Sequence, residues 1–167
     1  MKNKALNSLQ YTGIVTLSQC INGKKIPVQK IYNKGGDSLF SFLTDCLIGD
    51  FDIAKLGRPT KIMLLQVDKE GNVITVSDRT SGFIYLLNKP EKVYTNGNNI
   101  VRLSFIVPRD MLSGTDFNAI GLYSDNATIY DYDRYSAICL LDVNNNDLTI
   151  SSILAVDWEL ILSNKTE

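Results

Sequence analysis

Apolar and polar residues alternate one for one along much of the chain, the pattern of a strand with one face in a core and the other in water. In NIVRLSFIV, Val101, Leu103, Phe105 and Val107 fall on one side, and Arg102 and Ser104 on the other. YTGIVTLS groups Tyr11, Val15 and Leu17 against Thr12, Thr16 and Ser18. A solvated face points to antiparallel pairing. Three other runs are apolar on both sides: KIMLLQV from Lys61 to Val67, FIYLL from Phe83 to Leu87 and AICLL from Ala137 to Leu141. They are expected as central strands covered on both faces. Asn22-Gly23, Glu70-Gly71-Asn72, Asn96-Gly97-Asn98-Asn99 and Asn144-Asn145-Asn146-Asp147 separate the runs with residues tolerant of positive φ, so several hairpins are expected.

One segment changes period. In GGDSLFSFLTDCLIGD, Gly35 to Asp50, the residues Leu39, Phe42, Leu43, Cys46 and Leu47 follow the i, i+3, i+4, i+7, i+8 spacing of a helix that buries one side. Asp37 or Ser38 suits its N-terminal cap, and Gly49 suits a left-handed C-terminal stop. Leu43, in the middle of the stripe, is expected between helix and sheet. The alternating strands and the single helix predict a mainly β fold, an antiparallel β-sandwich-like domain with one amphipathic helix packed on it. No linker, repeat or low-complexity stretch divides the chain, so residues 1–167 are expected as one domain, with 1–8 as an extended N-terminal arm.

Near the C-terminus, SSILAVDWELILSN holds the chain's tryptophan between two carboxylates. As a strand it places Leu154, Val156, Trp158, Leu160 and Leu162 on one face, and Asp157 and Glu159 on the other with Ala155 and Ile161. Trp158 then points into the core, where its indole N–H is expected to find a backbone acceptor. Carboxylates two apart on a strand face the same way, near the roughly 5 Å separation of retaining glycosidases. No other acid, aromatic cluster or histidine converges on the pair in sequence, so Asp157 and Glu159 are expected as charge that keeps an outer sheet face soluble, not as catalytic residues.

Composition narrows the chemistry. Seventeen basic and eighteen acidic side chains leave a net charge of −1, which gives no footprint for nucleic acid. Histidine is absent from the sequence, and with it go the Ser-His-Asp and Cys-His nucleophile systems and the His-Glu-x-x-His zinc site. Cys20, Cys46 and Cys139 are odd in number and far apart, so each is expected as a small buried residue rather than part of a disulfide framework or metal ribbon. No window approaches the ~20 apolar residues of a membrane span, and the chain is expected to be soluble and unsecreted.

Two motifs fail on inspection. NKGGDS before the helix resembles an anion cradle but lacks the Gly-Lys-Ser/Thr ending of a P-loop, and Asp37 would repel phosphate. DVNNNDLTI starts like a calcium loop, yet Asp147 stands where the turn glycine belongs and Ile153 where the bidentate glutamate belongs. Neither a cofactor nor a metal site is therefore expected. SDNATIYDYDRYS is a better surface-recognition segment: Asp125, Tyr130, Asp131, Tyr132, Asp133 and Tyr135 combine aromatic area with wet polar tips, as in a contact loop or a sugar platform.

The stretches GIVTLSQ, IYNKGGDSLFSFLTDCLIGDF, GRPTKIMLL, NAIGLYS and AVDWELILSN follow one another in an order and spacing that resembles small virion structural proteins of tailed bacteriophages. The resemblance runs from Gly13 to Asn164, and departs from the family's usual Asn-Ala-Gly-Thr turn at Asn33-Lys34-Gly35-Gly36. It implies a non-enzymatic component of tail or neck, or else a head decoration or head fibre. Such a protein is made in the bacterial cytoplasm and built into the virion through contacts with copies of itself and other virion proteins. It carries over no catalytic residue. A carbohydrate-recognition module for host attachment, with Tyr130, Tyr132 and Tyr135 stacking on sugars, is the alternative.

Overall fold

The computed structural model describes residues 8–33, 37–49, 57–70, 74, 82–112, 117–126, 136–140 and 153–165. Its strands form two antiparallel sheets. In the first, the order is β2 (Lys24–Asn33), β1 (Ser8–Ile21), β9 (Ile153–Lys165), β6 (Asn98–Val107) and β5 (Glu91–Thr95). In the second, it is β4 (Ile84–Tyr85), β3 (Pro59–Leu65), β7 (Ala119–Ser124) and β8 (Ser136–Leu140). Ser8, expected in an N-terminal arm, already belongs to β1, and residues 1–7 lie outside the described residues.

Two hairpins of the first sheet close as their sequences predict. Asn22 and Gly23 have φ of 51° and 76° between β1 and β2, and Asn96 and Gly97 have 49° and 77° between β5 and β6. Positive φ at both central residues gives a turn whose twist matches that of the strands, and Asn-Gly adopts it at least cost. β9 lies between the two hairpins, pairing with β1 through Val15↔Trp158 and with β6 through Leu103↔Trp158.

The alternation delivers the core. Val15 and Leu17 of β1, Leu103, Phe105 and Val107 of β6, and Leu154, Val156, Trp158 and Leu160 of β9 meet Ile62 and Leu64 of β3 and Ile120 and Leu122 of β7. The single turn α2 (Arg109–Leu112) adds Leu112. Trp158 is fully buried on the face opposite Asp157 and Glu159, but among the described residues its indole N–H has no hydrogen-bond partner, contrary to expectation. Its cross-strand neighbours on the inner face, Val15 and Leu103, have apolar side chains, so packing sets its position.

β3 is buried on both faces, as its continuous apolar run predicts. Beyond the main core, Met63 and Leu65 pack with Val67, Ala119 and Tyr123, and Phe83 meets Tyr123 edge to face at 5.3 Å. Buried Lys61 lays its ammonium over the rings of Phe83 and Tyr85, at 4.8 and 5.6 Å. The β3–β7 ladder is prolonged by Asn118, whose amide side chain both accepts from and donates to the backbone of Val67.

Among the described residues the other two doubly apolar runs fall in edge strands of the second sheet, not central ones. FIYLL pairs with β3 for two residues and then crosses between sheets. The Leu86 N–H donates to the Thr60 carbonyl while Leu86 bridges Phe105, and the Leu87 N–H donates to the Ser104 carbonyl. Ala137 to Leu140 of AICLL lie in β8, which pairs with β7 and approaches β2 of the other sheet, and Leu141 is outside the described residues. FIYLL lies where the sheets converge, so its apolar character serves a corner of the sandwich; the side chains of AICLL are outside the described set. Tyr85 and Leu87 are exposed.

The helix α1 spans Asp37–Ile48, and Gly49 at φ 81° ends it as the sequence predicts. Leu39 is buried, whereas Phe42 and Leu43 are half-buried against the core. Cys46 and Leu47, expected on the buried side, are exposed, and Cys20 is half-buried. The apolar stripe continues past the surface that receives it. Cys139 lies in β8, and its side chain is outside the described set.

Two measurements test this packing. Leu39→Ala is expected to cost about 2–5 kcal/mol in chemical denaturation, while Leu47→Ala in dilute solution stays within about 0.5 kcal/mol. Trp158 emission is expected to be blue-shifted and resistant to acrylamide in the native protein, and to red-shift on unfolding; solvent-like native emission would contradict the β9 register.

Candidate functional site

Asp157 and Glu159 stand on the outer face of the first sheet, where the register supplies each with partners from neighbouring strands. Asp157 lies opposite Thr16 of β1 and Ser104 of β6. Lys25 reaches over from β2 and donates to both Asp157 oxygens at 3.0 and 2.9 Å, and the Ser104 hydroxyl donates to Oδ1 at 2.7 Å. Glu159 lies opposite Arg102 of β6, which lies opposite Glu91 of β5. Arg102 donates through Nε to Glu159 Oε1 at 2.8 Å, and its Nη1 is 3.7 Å from Glu91.

The result is a charge ladder, with Glu91, Arg102 and Glu159 across three strands and Lys25, Asp157 and Ser104 beside it. The hydrogen bond to Glu159 raises the already high pKa of Arg102; desolvation opposes this, and the charges of Glu159 and Glu91 add to it. The guanidinium stays cationic throughout the working pH range. Where the chain crosses from β4 to β5, Asn88 and Lys89 overhang the ladder and complete a cleft of about 400 Å³ with Thr16, Arg102, Asp157 and Glu159 in its lining.

An acid-base pair needs a carboxyl free to exchange a proton with a bound substrate. Here Asp157 accepts from Lys25 and Ser104, and Glu159 from Arg102, so both tie strands together. That is the strand-pair stabilisation expected of opposite charges on neighbouring strands. Among the described residues no group of three or more Cys, Asp or Glu side chains could hold a metal ion.

The contact loop expected from the sequence is represented by Asp125 alone; Tyr130, Asp131, Tyr132, Asp133 and Tyr135 lie outside the described residues, as does Asp142–Asp147 of the calcium-like stretch. Asp125 latches the start of β3. Its N–H donates to the Arg58 carbonyl at 2.9 Å, and its carboxylate accepts from the Thr60 hydroxyl at 3.1 Å and from Arg58 Nη2 at 3.3 Å.

A second hollow lies between α1 and the inner face of the first sheet. It encloses about 220 Å³, with Phe42 and Leu43 above, Val101, Leu160 and Leu162 below, and Arg58 in its wall. Gly13, opposite Leu160 on β1, adds no side chain to the floor. The sequence marks the helix stripe and the strand faces separately, but the gap between them depends on how the helix is seated.

No family model matches the chain, and neither a curated protein nor a solved structure matches it. Among the described residues no helix is long and apolar enough to cross a membrane.

Because Arg102, Glu91 and Glu159 are partly exposed, a double-mutant cycle of Arg102→Ala with Glu159→Ala is expected to give a coupling of about 0.2–1 kcal/mol. Molar salt should shrink it, as screening shortens to about 3 Å. A salt-independent coupling of several kcal/mol would mark the ladder as more than a surface network.

Proposed function

We propose that the chain is a non-enzymatic structural component of a tailed-bacteriophage virion, placed in tail or neck rather than as a head decoration or head fibre, and working through contacts with its own copies and other virion proteins. The observation that carries this is large apolar side chains left in water by a fold that has a full core elsewhere. Leu47 and Ile48 at the end of α1, Tyr32 on the edge strand β2 and Tyr94 on the edge strand β5 are all exposed. Exposed large apolar side chains beside sheet edges that are open among the described residues are what a subunit can cover on assembly. The order of motifs from Gly13 to Asn164, with its likeness to virion proteins, supports the placement in a particle. The engagement of Asp157 and Glu159 by Lys25, Ser104 and Arg102 supports a framework role for the one carboxylate pair that suggested catalysis.

The cleft of about 400 Å³ favours carbohydrate recognition as a second reading, because Arg102, Asn88, Lys89 and the carboxylates offer donors and acceptors suited to hydroxyls. Glycan-array binding that disappears with Lys89→Ala would put that reading first.

Mass spectrometry of purified virions tests the proposal. The protein is expected in a fixed copy number per particle, retained through density-gradient purification. Its absence from particles made by cells that express it would overturn the proposal.

A further inference from the structure

The cleft on the outer face of the first sheet holds polar groups of two kinds. Some are engaged by the framework: the Asp157 oxygens accept from Lys25 and Ser104, and Arg102 gives its Nε–H to Glu159 at 2.8 Å. Others are open. Arg102 Nη1 stands 3.7 Å from Glu91, longer than a hydrogen bond, so a guanidinium with five N–H donors keeps donors for a ligand in the cleft it lines. Asn88 and Lys89, which overhang the ladder, form no hydrogen bond or ion pair among the described residues.

We infer that this cleft binds an uncharged six-membered sugar ring, an inference that rests on the carbohydrate reading above and names the kind of sugar. The lining carries two cations, Lys89 and Arg102, and three carboxylates, Glu91, Asp157 and Glu159; Lys25, paired with Asp157, brings the set to zero. An anion drawn to Lys89 would also face Glu91 and Glu159, and a cation drawn to those carboxylates would face Arg102. A ligand of either sign therefore meets like charge as well as opposite charge while losing its hydration. A hydroxyl avoids this because it donates and accepts in one group: it takes a hydrogen bond from Lys89 or Arg102 and gives one to Glu91 or Glu159. The rigid fork of Arg102 can also serve two adjacent ring hydroxyls at once.

Size agrees with this ligand. The cleft of about 400 Å³ falls in the range of small-molecule sites, and since roughly 150 Å³ suffices for a benzene ring, a pyranose enters with its hydroxyls. The register of β5, β6 and β9 holds Glu91, Arg102 and Glu159 in place before the sugar arrives. Trp158, the aromatic residue in the lining, buries its ring on the opposite face of the sheet and does not stack on the sugar. Binding then rests on hydrogen bonds that compete with water, so each site is weak, and repetition of the site in an assembly would raise avidity without a new contact.

An NMR titration of the full chain tests the inference, with the methyl pyranosides of glucose, galactose and mannose as uncharged probes and glucuronate and glucosamine as charged ones. At least one uncharged probe is expected to shift the backbone resonances of Asn88 and Lys89 and the Arg102 Nε–H together and saturably, while the charged probes at the same concentration do not. Lys89→Ala should weaken binding about tenfold, the loss of one charge-assisted hydrogen bond, with thermal unfolding unchanged. Asn88→Ala, which removes the other overhanging group, should weaken it as well. No shift with any sugar would overturn the inference and remove the carbohydrate reading with it. Shifts with glucuronate or glucosamine alone would overturn the inference and leave that reading in place. An uncharged sugar that binds indifferently to both variants would place the site elsewhere and overturn the inference too. The virion role is read separately, from particle composition.

Discussion

Everything in the first sheet depends on β9 lying between β1 and β6. Its inner side chains, Leu154, Val156, Trp158 and Leu160, supply the middle of the core, and its outer ones, Asp157 and Glu159, anchor the charge ladder. Because successive residues of a strand point to opposite faces, the two roles are locked together: a shift of one residue would put Trp158 in water and both carboxylates in the core. The cost of burying those charges far exceeds anything the ladder contributes, so the apolar face sets the register and the ladder follows.

That hierarchy explains what was legible in the sequence. The faces of β1, β6 and β9, the double burial of β3, the two Asn-Gly turns and the helix stop at Gly49 are each set by residues within a few positions of one another, and local pattern reports them. The corner strand was not legible. A run such as FIYLL looks alike whether it is covered by layers above and below or sits where two sheets converge, and the difference lies in partners far along the chain, Thr60, Ser104 and Phe105. The end of α1 misleads for a related reason. Periodicity says which side of a helix is apolar, but how far the sheet extends beneath it is set by other strands, and at Leu47 the support is gone.

The candidate sites divide in the same way. The shared face of Asp157 and Glu159 follows from their spacing, but Lys25 and Arg102 are partners from other strands, and without them an acid pair and a structural ladder are indistinguishable. Asp125, read in a stretch of tyrosines and acids as part of a contact loop, also has a framework role, because its backbone and carboxylate hold the opening residues of β3. In both places a carboxylate that attracts a chemical interpretation is engaged by donors of the framework.

The arrangement of the first sheet as hairpin, single strand, hairpin has a mechanical consequence. The β1–β2 and β5–β6 pairs are each closed by their own turn, so either can hold its shape without the other, while β9 has no turn joining it to either neighbour. If β9 were to peel away, it would leave two intact ribbons facing each other across a gap one strand wide, roughly 10 Å at the usual strand spacing, both edges bare. The endurance of the sandwich under load is therefore the residence time of one strand in its slot.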